Sequence, residues 1–314
     1  MMSDDEVLKK FYEDCLLRGL SERTKESYLR TIYEFRAFAG KSEFAALTGD
    51  DLRRWLLHLR SEGRLTTATT NQYNSACKFL LRNVLDVEVK DSQTPNARLK
   101  RKVQPYMSVD EVKEFFSHFN DILVFTYFLL LYSTGMRRFE ALNVTPEDIH
   151  GSESSPNDDY IIVRRGKGGH DRRVALPHPT YLMLREFYRV WWLPKYNTIG
   201  ADKKTGIKTT PLFPSVINGV KAQSFLSKAF NDVRDCNTSF AEFHPHTLRH
   251  AFAVHMLQKD INNLFYVKAN FGHKSLASTE IYLGDAILYG VSNPETPGEV
   301  AAFLCDAFHS RQRV

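Results

Sequence analysis

Seven residues between positions 137 and 282 carry side chains suited to chemistry on an anion: Arg137, Glu140, Lys167, His246, Arg249, His273 and Tyr282. The planar fork of an arginine gives paired hydrogen bonds to the oxygens of a carboxylate or phosphate. Lysine and histidine can move protons to or from a reacting oxygen. A tyrosine phenol has an ordinary pKa near ~10, so it needs a base or a cationic surround to act as a nucleophile near neutral pH. Arg137 follows Ser133-Thr134-Gly135-Met136, and Glu140 stands three positions on. Lys167 lies within Gly166-Lys167-Gly168-Gly169. His246 and Arg249 form an H-x-x-R pair at the start of a helical segment, one turn apart and on one face. His273 sits in Phe271-Gly272-His273, with Tyr282 nine residues beyond. Singly, each has a plain structural explanation: a salt bridge for an arginine near a helix end, solvation for a lysine in a turn, packing for a histidine on an amphipathic helix. The ordered set carries more than its members.

The elements that must position these residues are mostly helical, with one short sheet. Ile122 to Tyr132 (ILVFTYFLLLY) is too short to span a bilayer and reads as a helix buried on most sides, ending just before Arg137. Tyr160 to Pro177 holds two β-rich runs around the glycines at 166–169, a hairpin with Lys167 near its tip. Gln223 to Arg234 and Thr247 to Leu257 have helical character, and Asn293 to Gly298 breaks the chain before a last helix, Glu299 to Phe308. A smaller helical region precedes all of this. Tyr28, Ile32, Phe35 and Phe38 recur at helical spacing after Ser21. Thr48 and Asp51 occupy capping-box positions before the stripe Leu52, Trp55, Leu56 and Leu59. Asn71 to Leu85 supplies a further amphipathic helix through Tyr73, Cys77, Leu80 and Leu81. Four such helices make a small bundle.

Between the two regions the composition shifts. Asp91 to Val103 is polar, contains Pro95 and ends in a basic cluster of Arg98, Lys100, Arg101 and Lys102, which is a linker signature. The expected organisation is therefore a helical domain over 1–92, a basic linker over 93–105 and a larger domain over 106–314. A length of 314 residues and 43% hydrophobic content suit two domains that bury their own cores. The net charge of +5 is compatible with nucleic acid and proves nothing about it. Cys15, Cys77, Cys236 and Cys305 are widely spaced and form no C-x-x-C pair, which reads as reduced thiols in a cytoplasmic protein. The acidic start, MMSDDEVLKK, lacks the apolar core of a signal peptide. His244, His246, His250 and His255 cluster in sequence, but no carboxylate or cysteine completes a usual zinc spacing.

Four ordered segments carry a resemblance: TGMRRFEAL (134–142), RRGKGGHDRRVALP (164–177), HPHTLRHAFAVHML (244–257) and FGHKSLASTEIYLG (271–284). Together they resemble the tyrosine recombinases, the family of phage integrases and Xer recombinases. The likeness spans the second domain, and SERTKESYLRTIYEF (21–35) resembles the family's helical, SAM-like core-binding domain more loosely. The implied fold is mainly α with a small β-sheet: a helical DNA-binding domain followed by a mixed α/β catalytic domain. The implied activity is site-specific cleavage and rejoining of double-stranded DNA through a 3′-phosphotyrosine.

Position by position, the resemblance implies that Arg137 and Arg249 clamp the scissile phosphate. Lys167 protonates the leaving oxygen, His246 assists proton transfer, His273 hydrogen-bonds the phosphate and Tyr282 attacks. Glu140 supports the site. Arg98, Lys100, Arg101, Lys102, Arg165 and Arg172 are candidates for DNA contact. No cofactor and no metal are implied, because a covalent phosphotyrosine conserves the energy of the broken bond. The resemblance further implies a homo-oligomer, a tetramer on two DNA sites, with a C-terminal helix at about 299–308 docking onto the next protomer. The flanks depart from the family pattern at Phe271, where leucine is common, and at Leu283-Gly284-Asp285, where a Thr-His pair is common. Such divergent flanks lean towards a mobile-element enzyme. Two rival expectations are a type IB topoisomerase-like relaxing enzyme and a catalytically idle DNA-binding protein of the same fold. The loop at 195–210 is long and basic, and no role follows from its sequence.

Overall fold

The computed structural model describes residues 2–99, 104–164, 171–196, 211–214, 216–217, 219–291 and 294–313. Lys100, Arg101, Lys102, Arg165 and Lys167 lie outside the described residues, as does most of the basic loop at 195–210. The chain divides into two units, Met1–Lys102 and Val103–Val314.

The first unit holds α1 (Asp4–Leu17), α2 (Glu22–Ala39), α3 (Gly49–Glu62) and α4 (Thr67–Phe79), the last running into a π-helical turn at Leu80–Val84. Ser21 caps α2 through the Thr24 amide, and Gly40, at φ +64, ends it in the left-handed conformation that glycine adopts without strain. The capping box expected at Thr48 and Asp51 starts α3. Phe11, Ile32, Phe35, Leu52, Trp55 and Leu80 meet in the core, where Phe35 stacks on Trp55 at 5.2 Å. Phe38, on the predicted apolar stripe, is instead 40% exposed and stacks on His58 at 4.9 Å.

Composition alone starts the linker at 93, but hydrogen bonds tie residues 93–97 to the first unit. Arg53 donates to the carbonyl of Gln93, Arg60 to that of Pro95, and Asn74 and Lys78 to that of Thr94. Asn71 exchanges two hydrogen bonds with the backbone of Ala97. Thr94 is buried. The segment is polar yet fixed, because its carbonyls satisfy donors from two helices.

The second unit opens with α5 (Val109–Ser117), started by a capping box of Ser108 and Glu111. Then comes α6 (Ile122–Thr134), buried at every position from Leu123 to Thr134. A helix apolar all round can only sit inside a core. After α7 (Arg138–Leu142) the chain forms β1 (Ile149–Ser152), β2 (Ser155–Val163) and β3 (Arg172–Ala175). The sheet is antiparallel in the order β1-β2-β3, with Tyr160 opposite Ala175 and Val163 opposite Arg172. The expected hairpin is thus extended by one strand. β1 is only four residues long and contains Gly151 and Ser152, so it carries no alternating apolar signal.

Next come α8 (His178–Phe187), a π-helical turn at Tyr188–Trp192, α9 (Leu193–Tyr196), the two-residue strands β4 (Val216–Ile217) and β5 (Val220–Lys221), and α10 (Ala222–Cys236). The site-bearing helices follow: α11 (Pro245–Lys259), α12 (Leu264–Phe271) and α13 (Ala277–Leu288). The last helix, α14 (Pro297–Gln312), starts at a proline whose missing N–H costs nothing at a helix's first position. Among the described residues, no helix is long and apolar enough to cross a membrane.

In the single chain, α14 lies on its own unit. Val300, Ala301, Leu304, Cys305 and Phe308 join the main core, and Phe308 stacks on Phe125 of α6 at 4.2 Å. Truncating Phe308 to alanine is expected to cost about 3–5 kcal/mol of folding stability, independent of protein concentration, as read by chemical denaturation. A loss below ~1 kcal/mol in a dilute monomer would contradict this packing.

Candidate active site

The site begins where α6 ends. Gly135, at φ +66, turns the chain, and a Cβ there would lie 2.3 Å from Cε1 of Phe271 and 2.7 Å from Cδ1 of Phe252. Only glycine fits the conformation and the space. The turn aims the Gly135 carbonyl at α11, where it accepts a hydrogen bond from Nη1 of Arg249. Two residues on, Arg137 stands at the N-cap of α7.

Arg137 is held by Glu140. Its backbone N–H donates to Oε2 at 2.8 Å and its Nη1 to Oε1 at 2.9 Å. The same carboxylate accepts both terminal nitrogens of Arg172, at 2.9 and 2.8 Å, while Nε of Arg172 donates to the Asn270 carbonyl at 2.9 Å. Burial works against the charge on Glu140, but hydrogen bonds and attraction from Arg172 and Arg137 prevail and bring its pKa down to about 2. Arg172, a sequence candidate for DNA contact, is thus tied into the site by its own partners. Its side chain is 13% exposed, and its fork is committed to Glu140 and Asn270. Arg98 is exposed on the first unit.

Arg249 is 2% exposed. Besides Gly135, its Nη2 donates to the Phe271 carbonyl at 3.4 Å, and its guanidinium carbon stands 3.5 Å from the centre of the Phe271 ring. Burial and the repulsion of Arg137 hold its pKa down to about 9. His273 lies beyond, with Nε2 at 3.5 Å from Nη2 of Arg249 and Nδ1 at 2.9 Å from the buried hydroxyl of Thr279. His246, one turn before Arg249 on α11, keeps an exposed edge. Loss of surrounding water and the charge of Arg249 push its pKa to about 4, so the ring is neutral at neutral pH.

Tyr282 projects from α13 into this group and is half-buried. Its ring packs edge-on to Phe271 at 5.4 Å, lies 5.1 Å from His250 and runs nearly parallel to His273 at 6.4 Å. Burial raises its pKa, while Arg249 and Arg137 pull the other way. The far end of α13 is clasped as well. Tyr289 stacks on Tyr106 at 4.8 Å, and its carbonyl accepts from Gln258 at 2.7 Å.

Arg137, Glu140, Arg249, His273 and Tyr282 thus stand in one neighbourhood, with His246 beside Arg249. Arg172, Asn270 and Thr279 complete it; Asn270 and Thr279 carry no sequence signal of their own, since each acts by holding another residue, and Arg172 was singled out only as a candidate for DNA contact. His255 sits apart. Its Nε2 donates to the Met107 carbonyl at 3.0 Å and its Nδ1 accepts from Tyr132 at 2.8 Å. Among the described residues, no group of three or more His, Cys, Asp or Glu side chains could hold a metal ion.

Comparison with known proteins agrees with this architecture. The sequence pattern of the phage integrase family matches residues 105–286, and that of the phage integrase N-terminal SAM-like domain matches residues 7–91. A tyrosine recombinase of Thermosipho africanus is 27% identical over 292 residues, covering 89% of this chain and 95% of that protein. Tyrosine recombinase XerA of Pyrococcus horikoshii is 26% identical over 281 residues, covering 89% of each. The Tn1549 transposon integrase, solved in complex with transposon right end DNA, has the same fold, with a TM-score of 0.61 at 16% identity over 99% of both chains.

The shared carboxylate gives a pH signature. The folded pKa of Glu140, about 2, lies below its ordinary 4.5. Its stabilisation is therefore full above about pH 4.5 and is lost as the pH falls towards 2. Glu140→Gln is expected to lose on the order of 3 kcal/mol at pH 7. The gap to the native protein should close between pH 4.5 and 2 in a series of denaturation curves. A gap that stays constant over that range would contradict the pairing.

Proposed function

The chain belongs to the phage integrase family and is a tyrosine recombinase, and on that premise we propose that Tyr282 is the nucleophile through which it cuts and rejoins double-stranded DNA. One observation carries the proposal: Arg137 and Arg172 share the single carboxylate of Glu140, and a third guanidinium, that of Arg249, stands with Arg137 close enough to act on the Tyr282 phenol. The surplus positive charge suits a phosphodiester, and its burial strengthens each interaction with an incoming anion.

In this reading Arg137 and Arg249 give hydrogen bonds to the non-bridging phosphate oxygens, whose charge grows in the transition state. His273, braced by Thr279, adds a further donor. Glu140 keeps Arg137 in place and takes no part in the transfer. The Tyr282 oxygen forms a bond to phosphorus as the bond to the 5′-oxygen breaks. The phenol proton leaves to a base, a transfer that His246 assists, and the 5′-oxygen takes a proton from Lys167. The product is a 3′-phosphotyrosine and a free 5′-hydroxyl. Attack by a second 5′-hydroxyl reverses the step on a new strand, so no nucleotide hydrolysis is needed. Four protomers on two DNA sites are the proposed assembly, and a mobile element its proposed setting. An exchange of α14 between protomers would lift Val300, Leu304 and Phe308 from their own core and bury them again in the neighbour, a swap of like for like.

A duplex nicked near the target bond traps the covalent product, because the short cleaved strand diffuses away. The native protein is expected to form a protein–DNA adduct stable to denaturation, and Tyr282→Phe is expected to form none. An adduct from Tyr282→Phe, or none from the native protein, would overturn the assignment. DNA binding should weaken steeply as salt rises, because phosphate contacts release counterions. A flat dependence between 50 and 200 mM salt would speak against a clamp on duplex DNA.

A further inference from the structure

The helix that carries Tyr282 turns a second polar side chain inward. Asp285, one turn after Tyr282 on α13, is 5% exposed, and it faces His250 of α11, also 5% exposed. His250 follows Arg249 directly in the chain. Its Nε2 lies 3.2 Å from Oδ2 of Asp285, and its ring stands 5.1 Å from that of Tyr282. The approach is off the line of a hydrogen bond, so the contact is a close polar one and not an optimised bond. His250 touches the helix of Tyr282 in two places, at the phenol ring and one turn beyond it.

A carboxylate here is costly in two ways. Burying it works against folding, and an apolar pair of similar size would serve stability as well or better. Its negative charge also opposes ionisation of the Tyr282 phenol. Apolar contacts also join these helices, through Phe252, Ala253, Val254 and Ala286, and at the far end Gln258 of α11 holds the Tyr289 carbonyl. Apolar contacts tolerate a small rotation of one helix on the other, whereas parting a buried carboxylate from the polar ring that faces it costs electrostatic energy.

We infer that His250 and Asp285 are positioning residues for Tyr282. Their contact sets the rotation of α13 on α11, and with it the line along which the phenol oxygen meets a phosphate held by Arg249. This rests on Tyr282 being the nucleophile.

The test separates positioning from charge, because the two predict opposite signs. Asp285→Leu removes a negative charge near the phenol and leaves an uncharged imidazole behind. If Asp285 acts only through its field, single-turnover adduct formation on the nicked duplex should quicken. If it positions Tyr282, adduct formation at saturating DNA should slow by about 10- to 100-fold, with the half-saturating DNA concentration unchanged. The double variant His250→Leu/Asp285→Leu removes both polar groups of the contact, and should fold and bind DNA but cleave as slowly. His250→Gln, which keeps an N–H donor near the position of Nε2, should stay within about threefold of the native rate. Cleavage by Asp285→Leu and the double variant at the native rate or faster would overturn the inference. So would a loss that appears only in DNA affinity, or a His250→Gln variant as slow as the double variant. The native protein and Tyr282→Phe are run alongside. Absence of a native adduct would sink the nucleophile assignment, whereas a native adduct with fast Asp285→Leu would sink the positioning role alone.

Discussion

Arg249 is a buried cation, and much of the second unit is arranged to make that tolerable. An ion taken out of water loses several kcal/mol of hydration unless partners replace it. Here the partners are the carbonyls of Gly135 and Phe271 and the face of the Phe271 ring. Each demands something of the fold. The Gly135 carbonyl points correctly because α6 ends in a left-handed turn where no side chain fits. Phe271 is in place because α12 ends there, at Gly272 with φ +63. A Cβ on Gly272 would press on Arg172 at 3.0 Å, so the same turn leaves room for the residue that pairs with Glu140. The partners of Arg249 neutralise none of its charge. They leave a guanidinium that is desolvated, ordered and still positive, which is what an anion in transit needs to meet.

Around that cation the charges are deliberately unequal. Glu140 holds two arginines with one carboxylate, so it orders them without cancelling them. The pKa of Arg249, down to about 9, and that of His246, down to about 4, share causes: lost water and neighbouring positive charge. An incoming phosphate relieves both. Tyr282 sits where the same field favours its phenolate against the penalty of burial. The energetic cost of crowding these cations is carried by the cores beneath, above all by the fully buried α6 and the aromatic contacts it makes with Phe116 and Phe308.

The parts of this arrangement written in local patterns were legible in the sequence. The apolar run at 122–132 read as a helix buried on most sides, and Thr48 with Asp51 could cap α3 on spacing alone. Arg137, Glu140, His246, Arg249, His273 and Tyr282 pointed to one neighbourhood through the family that their four segments resemble; Lys167, of the same set, lies outside the described residues. What depends on long-range pairing was not legible. Arg172 looks like any basic strand residue until Glu140 is brought beside it from 32 positions away. The segment 93–97 looks like a linker until donors from α3 and α4 reach its carbonyls. β1 has no periodicity of its own and is a strand only because β2 supplies the ladder. The pair His250 and Asp285 lies 35 positions apart and reads as two unrelated polar residues.

Fourteen tyrosines occur in the chain, and one of them, Tyr282, is the proposed nucleophile. The most direct measurement is the identity of the residue bonded to DNA. After adduct formation, exhaustive nuclease and protease digestion followed by tandem mass spectrometry locates the attached nucleotide. With Tyr282 as nucleophile, a nucleotide 3′-phosphate is expected on the peptide that contains Tyr282, with the fragment series placing the added mass on that residue. The same mass on any other tyrosine, or on a serine, would contradict it.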